Sequence, residues 1–311
     1  MKNISIIIVT YNGKELLEKY LPSVVDACKR YSLDKTELII VDNASSDGTI
    51  DYLRLHFPFI KLIQQPANKG FSNSVNLGVS CAQSEIVVLL NDDIRLSEDF
   101  LLFLPQHFED KSVFAVRPGI KLNAEDRVCD LKNLNIGGAF KFGIFDVPRK
   151  AEGKTNLAFF VGGGGGAFDK EKFTKLGGFD EIFYPFYYED VDLCYRAWKR
   201  KWKIIYEPRS LLYHQSGATI SKFYNPFFIN IVAQRNRYLL VWKNVTDQRL
   251  LFQHFIFIPI NFVISLLRGQ IAFLIGLLWA LKYLRQLMKR RKLEKQAAKL
   301  KDSEIFNLFK T

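Results

Sequence analysis

Two acidic clusters, nearly a hundred residues apart, carry the chemistry this sequence can do. Asn91-Asp92-Asp93 follows the apolar run Ile86-Val87-Val88-Leu89-Leu90, and Glu189-Asp190-Val191-Asp192 follows the aromatic run Phe183-Tyr184-Pro185-Phe186-Tyr187-Tyr188. Carboxylates at the end of a buried strand suit a hard cation and the diphosphate it holds. Carboxylates that open a helix suit a general base. Together they predict metal-assisted transfer of a group off a nucleotide.

The elements that must position these clusters read from the apolar pattern. Ser5 to Thr10, Glu37 to Asp42, Ile60 to Ile63 and Glu85 to Leu90 are short, β-branched and nearly continuous in apolar character, as in strands covered on both faces. Between them, Glu15 to Tyr31, Ser46 to Phe57 and Phe71 to Ala82 carry helix-spaced apolar residues. Strands alternating with helices predict an α/β fold with a mostly parallel sheet and helices on both faces. Ser97-Glu98-Asp99 predicts a further helix start, with an oxygen cap and acids in the first turn. Val113 to Val116 predicts another strand. From about Gly119 to Leu157 the pattern fades into loop and short strands. Asp190 to Lys201 predicts a helix, and Lys203 to Tyr206 and Leu211 to Tyr213 two short final strands.

Ligands of open parallel sheets bind at the carboxyl ends of the strands. Here those ends read Thr10-Tyr11-Asn12, Asp42-Asn43, Gln65-Pro66 and Asn91-Asp92-Asp93. All four are polar, so they can converge on one crevice. Asp42 can accept a hydrogen bond from a ribose or a nucleobase. Ser45 and Ser46 also suit plain helix capping.

These segments carry a resemblance. Val9-Thr10-Tyr11-Asn12, Val41-Asp42-Asn43-Ala44-Ser45-Ser46-Asp47-Gly48-Thr49, Asn68-Lys69-Gly70-Phe71, Leu90-Asn91-Asp92-Asp93 and Tyr188-Glu189-Asp190-Val191-Asp192 stand in the order seen in family 2 glycosyltransferases. The chain resembles the bacterial rhamnosyltransferase-like branch in particular, over about residues 1–240. The resemblance implies a GT-A fold, a nucleotide-sugar donor such as a dTDP- or UDP-sugar, a divalent cation (Mn²⁺ or Mg²⁺) and inversion at the anomeric carbon.

Carried over residue by residue, Thr10, Asn12, Asp42 and Asn68 match positions that hold the nucleoside. Asp93 matches the last acid of the family's metal-binding DXD motif. The first position of that motif is Asn91 here, which offers a carbonyl oxygen but one charge fewer. Asp92, grouped with the nucleotide-sugar contacts, either makes up part of that charge or faces solvent. Asp190 matches the family's base, with Glu189 beside it to orient the acceptor. The helix dipole favours an ionised Asp190, and the aromatic run pushes the other way by drying the site. His214, near the end of the last strand, matches a further metal ligand of some members.

Gly162 to Gly166 is no phosphate loop, because no Gly-Lys-Ser/Thr follows. In the family a Gly-Gly segment lies here beside the donor sugar, so Gly163 and Gly164 are expected at the nucleotide sugar. Gly177-Gly178-Phe179-Asp180 matches a family turn and is expected to be structural.

The 311 residues carry 44 Lys and Arg against 32 Asp and Glu, a formal net charge of +12. The excess is concentrated from Lys282 to Lys301, behind an apolar stretch, which points to anionic lipid and away from nucleic acid. Residues 1–224 are expected to form the GT-A domain. Residues 225–311 are expected to form a helical region with an apolar hairpin (250–284) and a basic tail. Gln253, His254, Pro259 and Asn261 interrupt the first apolar segment and the second is short of the ~20 residues of a full span. A hairpin dipping into one leaflet, or helices lying in the interface, fits better. The apolar run Ile4 to Val9 is shorter than the ~7–15 residues of a signal-peptide core. Cys28, Cys81, Cys129 and Cys194 show no metal-ligand spacing and read as buried free thiols of a reducing compartment.

The function expected is transfer of a sugar from a nucleotide-sugar donor to a glycan or polyprenyl-diphosphate-linked acceptor, at the cytoplasmic face of the plasma membrane. The rival of another class is a membrane-associated, nucleotide-sugar-binding partner protein that has lost turnover, with Asn91 as its one hint. A nucleotidyltransferase of related fold is disfavoured, because Thr10-Tyr11-Asn12-Gly13-Lys14-Glu15 replaces the Gly-rich, Arg-containing loop such enzymes carry.

Overall fold

The computed structural model describes residues 1–124, 127–129, 134–136, 138–146, 149–151, 156–214 and 220–310. Its N-terminal half follows the apolar pattern closely. Strands Ile4–Thr10 (β1), Thr36–Asp42 (β2), Lys61–Gln64 (β3) and Ile86–Asn91 (β4) pair in parallel in the order β3-β2-β1-β4. Helices Lys14–Tyr31 (α1), Thr49–His56 (α2) and Phe71–Cys81 (α3) are the crossovers. Side chains alternate across a strand, and both faces are covered here. Ile7, Ile39, Val41, Val87 and Leu89 enter one cluster, while Ile6, Ile8, Ile40, Val88 and Leu90 enter the other, against α1. That two-sided burial is why β1, β2 and β4 read as unbroken apolar runs, while β3, at the end of the sheet, is only half-covered.

The remainder widens this sheet to nine strands. Ile94–Leu96 (β5), Val113–Ala124 (β6) and Arg127–Cys129 (β7) belong to it, whereas Leu134–Ile136 (β8) pairs with Arg149–Ala151 (β11) and Ala139–Lys141 (β9) with Ile144–Asp146 (β10) as two separate two-stranded sheets. Gly165–Asp169 (β12) lies antiparallel between β4 and β6, and Lys203–His214 (β13) pairs with β6 and β5. The sheet is thus parallel through its first four strands and mixed beyond them. Helices Lys170–Lys175 (α4), Glu189–Lys199 (α5), Ile220–Phe223 (α6), Pro226–Asn244 (α7), Gln248–Leu267 (α8), Ile271–Leu281 (α9), Leu284–Ala297 (α10) and Asp302–Asn307 (α11) complete the fold.

Several expectations need correction. No α-helix begins at Ser97. Phe100, Leu101 and Leu104 are all fully buried in a turning segment, followed by a 3₁₀ turn from Pro105 to Glu109, and Asp99 pairs with Arg30 at 3.0 Å. The spacing of these three would also suit one face of a helix, so the local pattern does not separate helix from turn, and their packing into one core cluster decides it. The two final short strands are one, β13, with a register shift between Glu207 and Leu211 where Pro208 cannot donate to the ladder. Ser45 and Ser46 do not cap α2; its first turn is capped by Asp47, whose Oδ1 accepts from Thr49 N at 3.1 Å. Cys28 and Cys194 are buried free thiols, but Cys81 is half-buried, and the Cys129 side chain lies outside the described residues.

The last residues are not a loose charged end. Asp302 is fully buried, accepting from Lys199 Nζ at 2.7 Å and from the backbone of Thr246 and Asp247, also at 2.7 Å. Ile305 and Phe306 join the cluster that also holds Tyr195 of α5 and Tyr238 to Val241 of α7. Residues on both sides of position 225 therefore share one core. Helix α8 has a mean hydropathy of 2.0 over its most apolar window and is long and apolar enough to cross a membrane; α9 and α10 are bent by 72° at their junction. Most of the apolar side chains of α8 and one face of α9 are exposed.

Candidate active site

Strand register brings the polar strand ends together. Thr10 pairs with Asp42, Asp42 with Gln64, and Val9 with Asn91. The chain leaves each strand at the same edge of the sheet, as parallel pairing requires.

At this edge Thr10 Oγ1 donates to Asp92 Oδ2 at 2.8 Å. Asp92 is buried, so it does not face solvent. Burial pushes its pKa up to about 7, helped by the Asp93 charge and opposed by the Thr10 hydrogen bond. The approach depends on Gly13: a Cβ there would stand 2.2 Å from Thr10 Oγ1 and 2.3 Å from Asp92 Oδ2.

Asn12 has φ +50° and spends its side chain on the neighbouring loop. Its Oδ1 accepts from Ser46 N, and its own N–H donates to Ser45 Oγ, both at 2.8 Å. The serines expected to cap a helix instead fix the loop after β1 to the loop after β2. Asp42 is buried; Oδ2 accepts from Ser45 N at 3.1 Å, while Oδ1 has no partner among the described residues. A buried acceptor left bare costs about 1–3 kcal/mol, so Oδ1 is poised for a donor from outside the chain. Asn68 Oδ1 accepts from Asn43 Nδ2 at 2.8 Å and Gly70 N at 3.0 Å. Asn68 thus shapes the loop, alongside Gln65, which donates to Ser74 Oγ at 2.6 Å.

Asp93 is buried, and its Oδ1 lies 3.2 Å from Nε2 of His214 in an alignment that makes no hydrogen bond. The pairing of β13 with β5, His214 opposite Ile94, sets this distance. Among the described residues, no three His, Cys, Asp or Glu side chains converge as a self-sufficient metal site. An acid with an orphaned buried oxygen, an imidazole beside it and the Asn91 amide fit a cation that takes its other ligands from a diphosphate.

The glycine run turns at Gly163 and Gly164 and enters β12 at Gly165, with Gly163, Gly165 and Gly166 buried and Gly162 and Gly164 half-buried. Gly163 N donates to Asp190 Oδ2 at 3.1 Å, and Gly164 O accepts from Asn91 N at 3.1 Å. Two consecutive residues therefore tie the second acidic cluster to the first. A Cβ at Gly164 would stand 2.2 Å from the Asn91 side chain, and one at Gly163 would stand 3.1 Å from Phe71. Gly177 and Gly178 have φ of +78° and +68°, the turn expected there.

At the start of α5, Asp190 Oδ1 accepts from Val191 N at 2.7 Å. Burial raises the Asp190 pKa, and the Val191 and Gly163 amides pull it back only in part. Glu189 is buried with Oε2 unpartnered among the described residues; burial, then the Asp190 charge, lifts its pKa to about 8. Asp192 plays a different part. It is fully buried and accepts from Arg196, Lys243 and Asn244, each at 2.8 Å.

Sequence reasoning missed Arg235 and Asn236 of α7, which hold the carbonyls of the aromatic loop before Glu189. Their signal was the polar run Gln234-Arg235-Asn236-Arg237 between the apolar residues Ile231-Val232-Ala233 and Tyr238 to Trp242, where polar groups that become buried need partners.

The family model for Glycosyl transferase family 2 matches residues 5–175, more than half of the chain. The chain belongs to glycosyl transferase family 2. Among curated members, it is 26% identical over 187 residues to the pre-mycofactocin glycosyltransferase of Mycobacterium tuberculosis, covering 59% of this chain and 38% of that protein. It is 23% identical over 217 residues to the poly-beta-1,6-N-acetyl-D-glucosamine synthase of Staphylococcus aureus, covering 68% of this chain and 49% of that one. The chain thus spans less than half the length of these two relatives. Among solved structures, GalNAc-T7 with UDP, GalNAc and Mn²⁺ superimposes with a TM-score of 0.63 at 17% identity, over 79% of this chain and 49% of that chain. The mannosyltransferase PcManGT of Pyrobaculum calidifontis, with GDP-Man and Mn²⁺, gives a TM-score of 0.56 at 16% identity over 95% and 87%. The fold of this family 2 chain is the GT-A type.

Proposed function

We propose that this family 2 chain transfers one sugar from a nucleotide-sugar donor to a hydroxyl of a glycan acceptor, with inversion at the anomeric carbon. What carries the reading is the link through Gly163 and Gly164, which sets Asp190 and Asn91 around one cleft. Asp42 Oδ1 accepts a hydrogen bond from the nucleoside, with Thr10, Asn12 and Asn68 shaping its pocket. Asp93, with His214 and Asn91 beside it, would hold a divalent cation, which would supply Lewis-acid stabilisation to the departing diphosphate. The relatives' complexes with UDP or GDP-Man and Mn²⁺ support that choice of ligands.

In the transfer, the acceptor oxygen forms its bond to the anomeric carbon from the face opposite the diphosphate. The carbon–oxygen bond to the diphosphate breaks, and its electron pair leaves with the nucleoside diphosphate. The acceptor proton passes to the Asp190 carboxylate. A raised pKa makes Asp190 a stronger base than an exposed aspartate. Glu189, neutral below about pH 8, donates a hydrogen bond to a sugar hydroxyl.

The order of motifs supports a rhamnosyltransferase-like donor choice, dTDP- or UDP-linked, in cell-surface polysaccharide synthesis. Residues 1–224 supply the donor site. Residues 225–311 face the cytoplasmic leaflet with the exposed faces of α8 and α9 and the basic residues from Lys282 onward, near a polyprenyl-diphosphate-linked acceptor. Thermal-shift screening of the protein against nucleotide sugars with Mn²⁺ tests the proposal, because a ligand of the folded state raises its melting midpoint. The reading fails if no nucleoside diphosphate or nucleotide sugar shifts the midpoint at millimolar concentration.

A further inference from the structure

Helix α7 carries two adjacent polar residues with almost no exposure, Arg235 at 1% and Asn236 at 0%. Asn236 Nδ2 donates to the carbonyls of Phe183, Phe186 and Tyr187, each at 2.9 Å. Arg235 Nη2 donates to the carbonyls of Tyr184 and Phe183, and its Nε donates to Asn236 Oδ1 at 2.9 Å. These carbonyls belong to the loop that delivers Glu189 and Asp190. It ends on two tyrosines at positive φ, Tyr187 at +73° and Tyr188 at +74°. Such a conformation costs of order 1–3 kcal/mol per bulky residue and persists only where surroundings enforce it. The Arg235–Asn236 pair is that enforcement.

The other side of the guanidinium faces α9. It lies 4.2 Å from the ring centre of Trp279 and 5.6 Å from that of Tyr283. Helix α9 comes this close because Ala272, Gly276 and Ala280 form its inner stripe. A Cβ on Gly276 would stand 2.8 Å from Gln234 Cβ and 2.9 Å from the Arg235 backbone nitrogen. The outer stripe of α9, Ile271, Ile275 and Leu278, is exposed. Burial pulls the Arg235 pKa down to about 10, so the group is still a cation at neutral pH. Its described partners are carbonyls and rings, with no carboxylate among them. A flat fork that bonds two carbonyls while stacking on an indole is a task that lysine cannot do.

We propose that Arg235 is a positioning residue that couples the seating of α9 to the placement of Glu189 and Asp190. The apolar outer stripe of α9, continued by the exposed Lys282, Arg285 and Lys289, then makes an anionic lipid surface the natural input to the acidic cluster. The proposal rests on the reading of Asp190 as base.

The test compares Arg235→Lys, Trp279→Ala and wild type in the full chain. It measures kcat and KM for the donor selected by thermal shift, the pH profile of kcat, UDP–Mn²⁺ affinity and hydrogen exchange of Tyr184 to Asp190. Coupling predicts at least a tenfold fall in kcat in both variants, a displaced acid limb and faster exchange in the loop, with UDP affinity within twofold of wild type. Phosphatidylglycerol vesicles slow loop exchange in wild type and not in Trp279→Ala. Wild-type kcat and pH profile in a folded Arg235→Lys protein, or vesicle protection that persists in Trp279→Ala, overturns the coupling. If Arg235→Lys does not fold, Trp279→Leu, which removes the ring but leaves the Arg235 hydrogen bonds, carries the same readouts. Asp190→Asn run in parallel separates the two ideas: near-normal transfer there defeats the base assignment. Lost transfer there with wild-type kcat in Arg235→Lys defeats only the coupling.

Discussion

The backbone nitrogen of Gly163 donates to the Asp190 carboxylate at 3.1 Å while the next residue, Gly164, accepts from Asn91 N at the same distance. One dipeptide in the turn before β12 thus fixes the spacing between the Glu189-Asp190 cluster and the Asn91-Asp93 cluster. Neither acidic cluster needs to touch the other, and a sugar can lie between them.

Asp190→Asn removes the proton acceptor and keeps the volume. Turnover is expected to fall by about 10²–10⁴-fold, the usual contribution of a positioned general base. UDP–Mn²⁺ affinity, measured calorimetrically, should stay within a few fold. Near-normal transfer by this variant would falsify the base assignment.

Gly164→Ala should cost metal-dependent UDP binding, because its Cβ would overlap the Asn91 side chain at 2.2 Å. Gly162→Ala is the matched control, since a Cβ there meets nothing within 4 Å. A weakening of about tenfold, or ~1.4 kcal/mol, is expected for the first and none for the second. Equal behaviour of the two variants counts against the steric account.

Glu189 links stability to pH. Its carboxyl titrates at about 8 in the folded chain against an ordinary 4.5, through burial first and the Asp190 charge second. Between these values the folded state holds the extra proton, so stability falls as pH rises through the window and levels off above it. Glu189→Gln removes that loss. Its melting midpoint should match wild type near pH 4.5 and exceed it increasingly toward pH 8. A constant difference across the window would place the titration elsewhere.

Chelation should stop turnover, and Mn²⁺ should restore it. His214→Ala leaves Asp93 with the Asn91 amide, so the Mn²⁺ concentration for half-maximal turnover should rise roughly tenfold or more. Turnover indifferent to strong chelators takes Asp93 out of its assigned role.

Asp302→Ala tests the docking of the C-terminal helix. It strands the Lys199 ammonium in the core without its carboxylate, 2.7 Å away in the intact chain. Breaking a buried pair from one side costs about 3–5 kcal/mol, read as a lower urea midpoint. A midpoint shift under 1 kcal/mol equivalent would mean that α11 is dispensable to the fold.

The polar strand ends, the two acidic clusters and the α/β alternation were legible in the chain because each is a local pattern. A strand covered on both faces must be apolar throughout, and the chemistry must then sit where the apolar run stops. What each side chain does there was not legible. Asn12, Asn68 and Asp92 also bond to Ser46, Asn43 and Thr10, partners chosen by strand register across loops far apart in the sequence. The Ser97 helix failed because three neighbouring apolar residues found the core in a turn, an outcome set by tertiary burial over cap preference. The roles of Arg235 and Asp302 arise only when α7 and α11 close on α5, because a buried polar residue takes its meaning from whatever group satisfies it. Composition and spacing therefore determined which residues this protein has for sugar transfer. Packing alone decided which of them face the cleft and which hold it open.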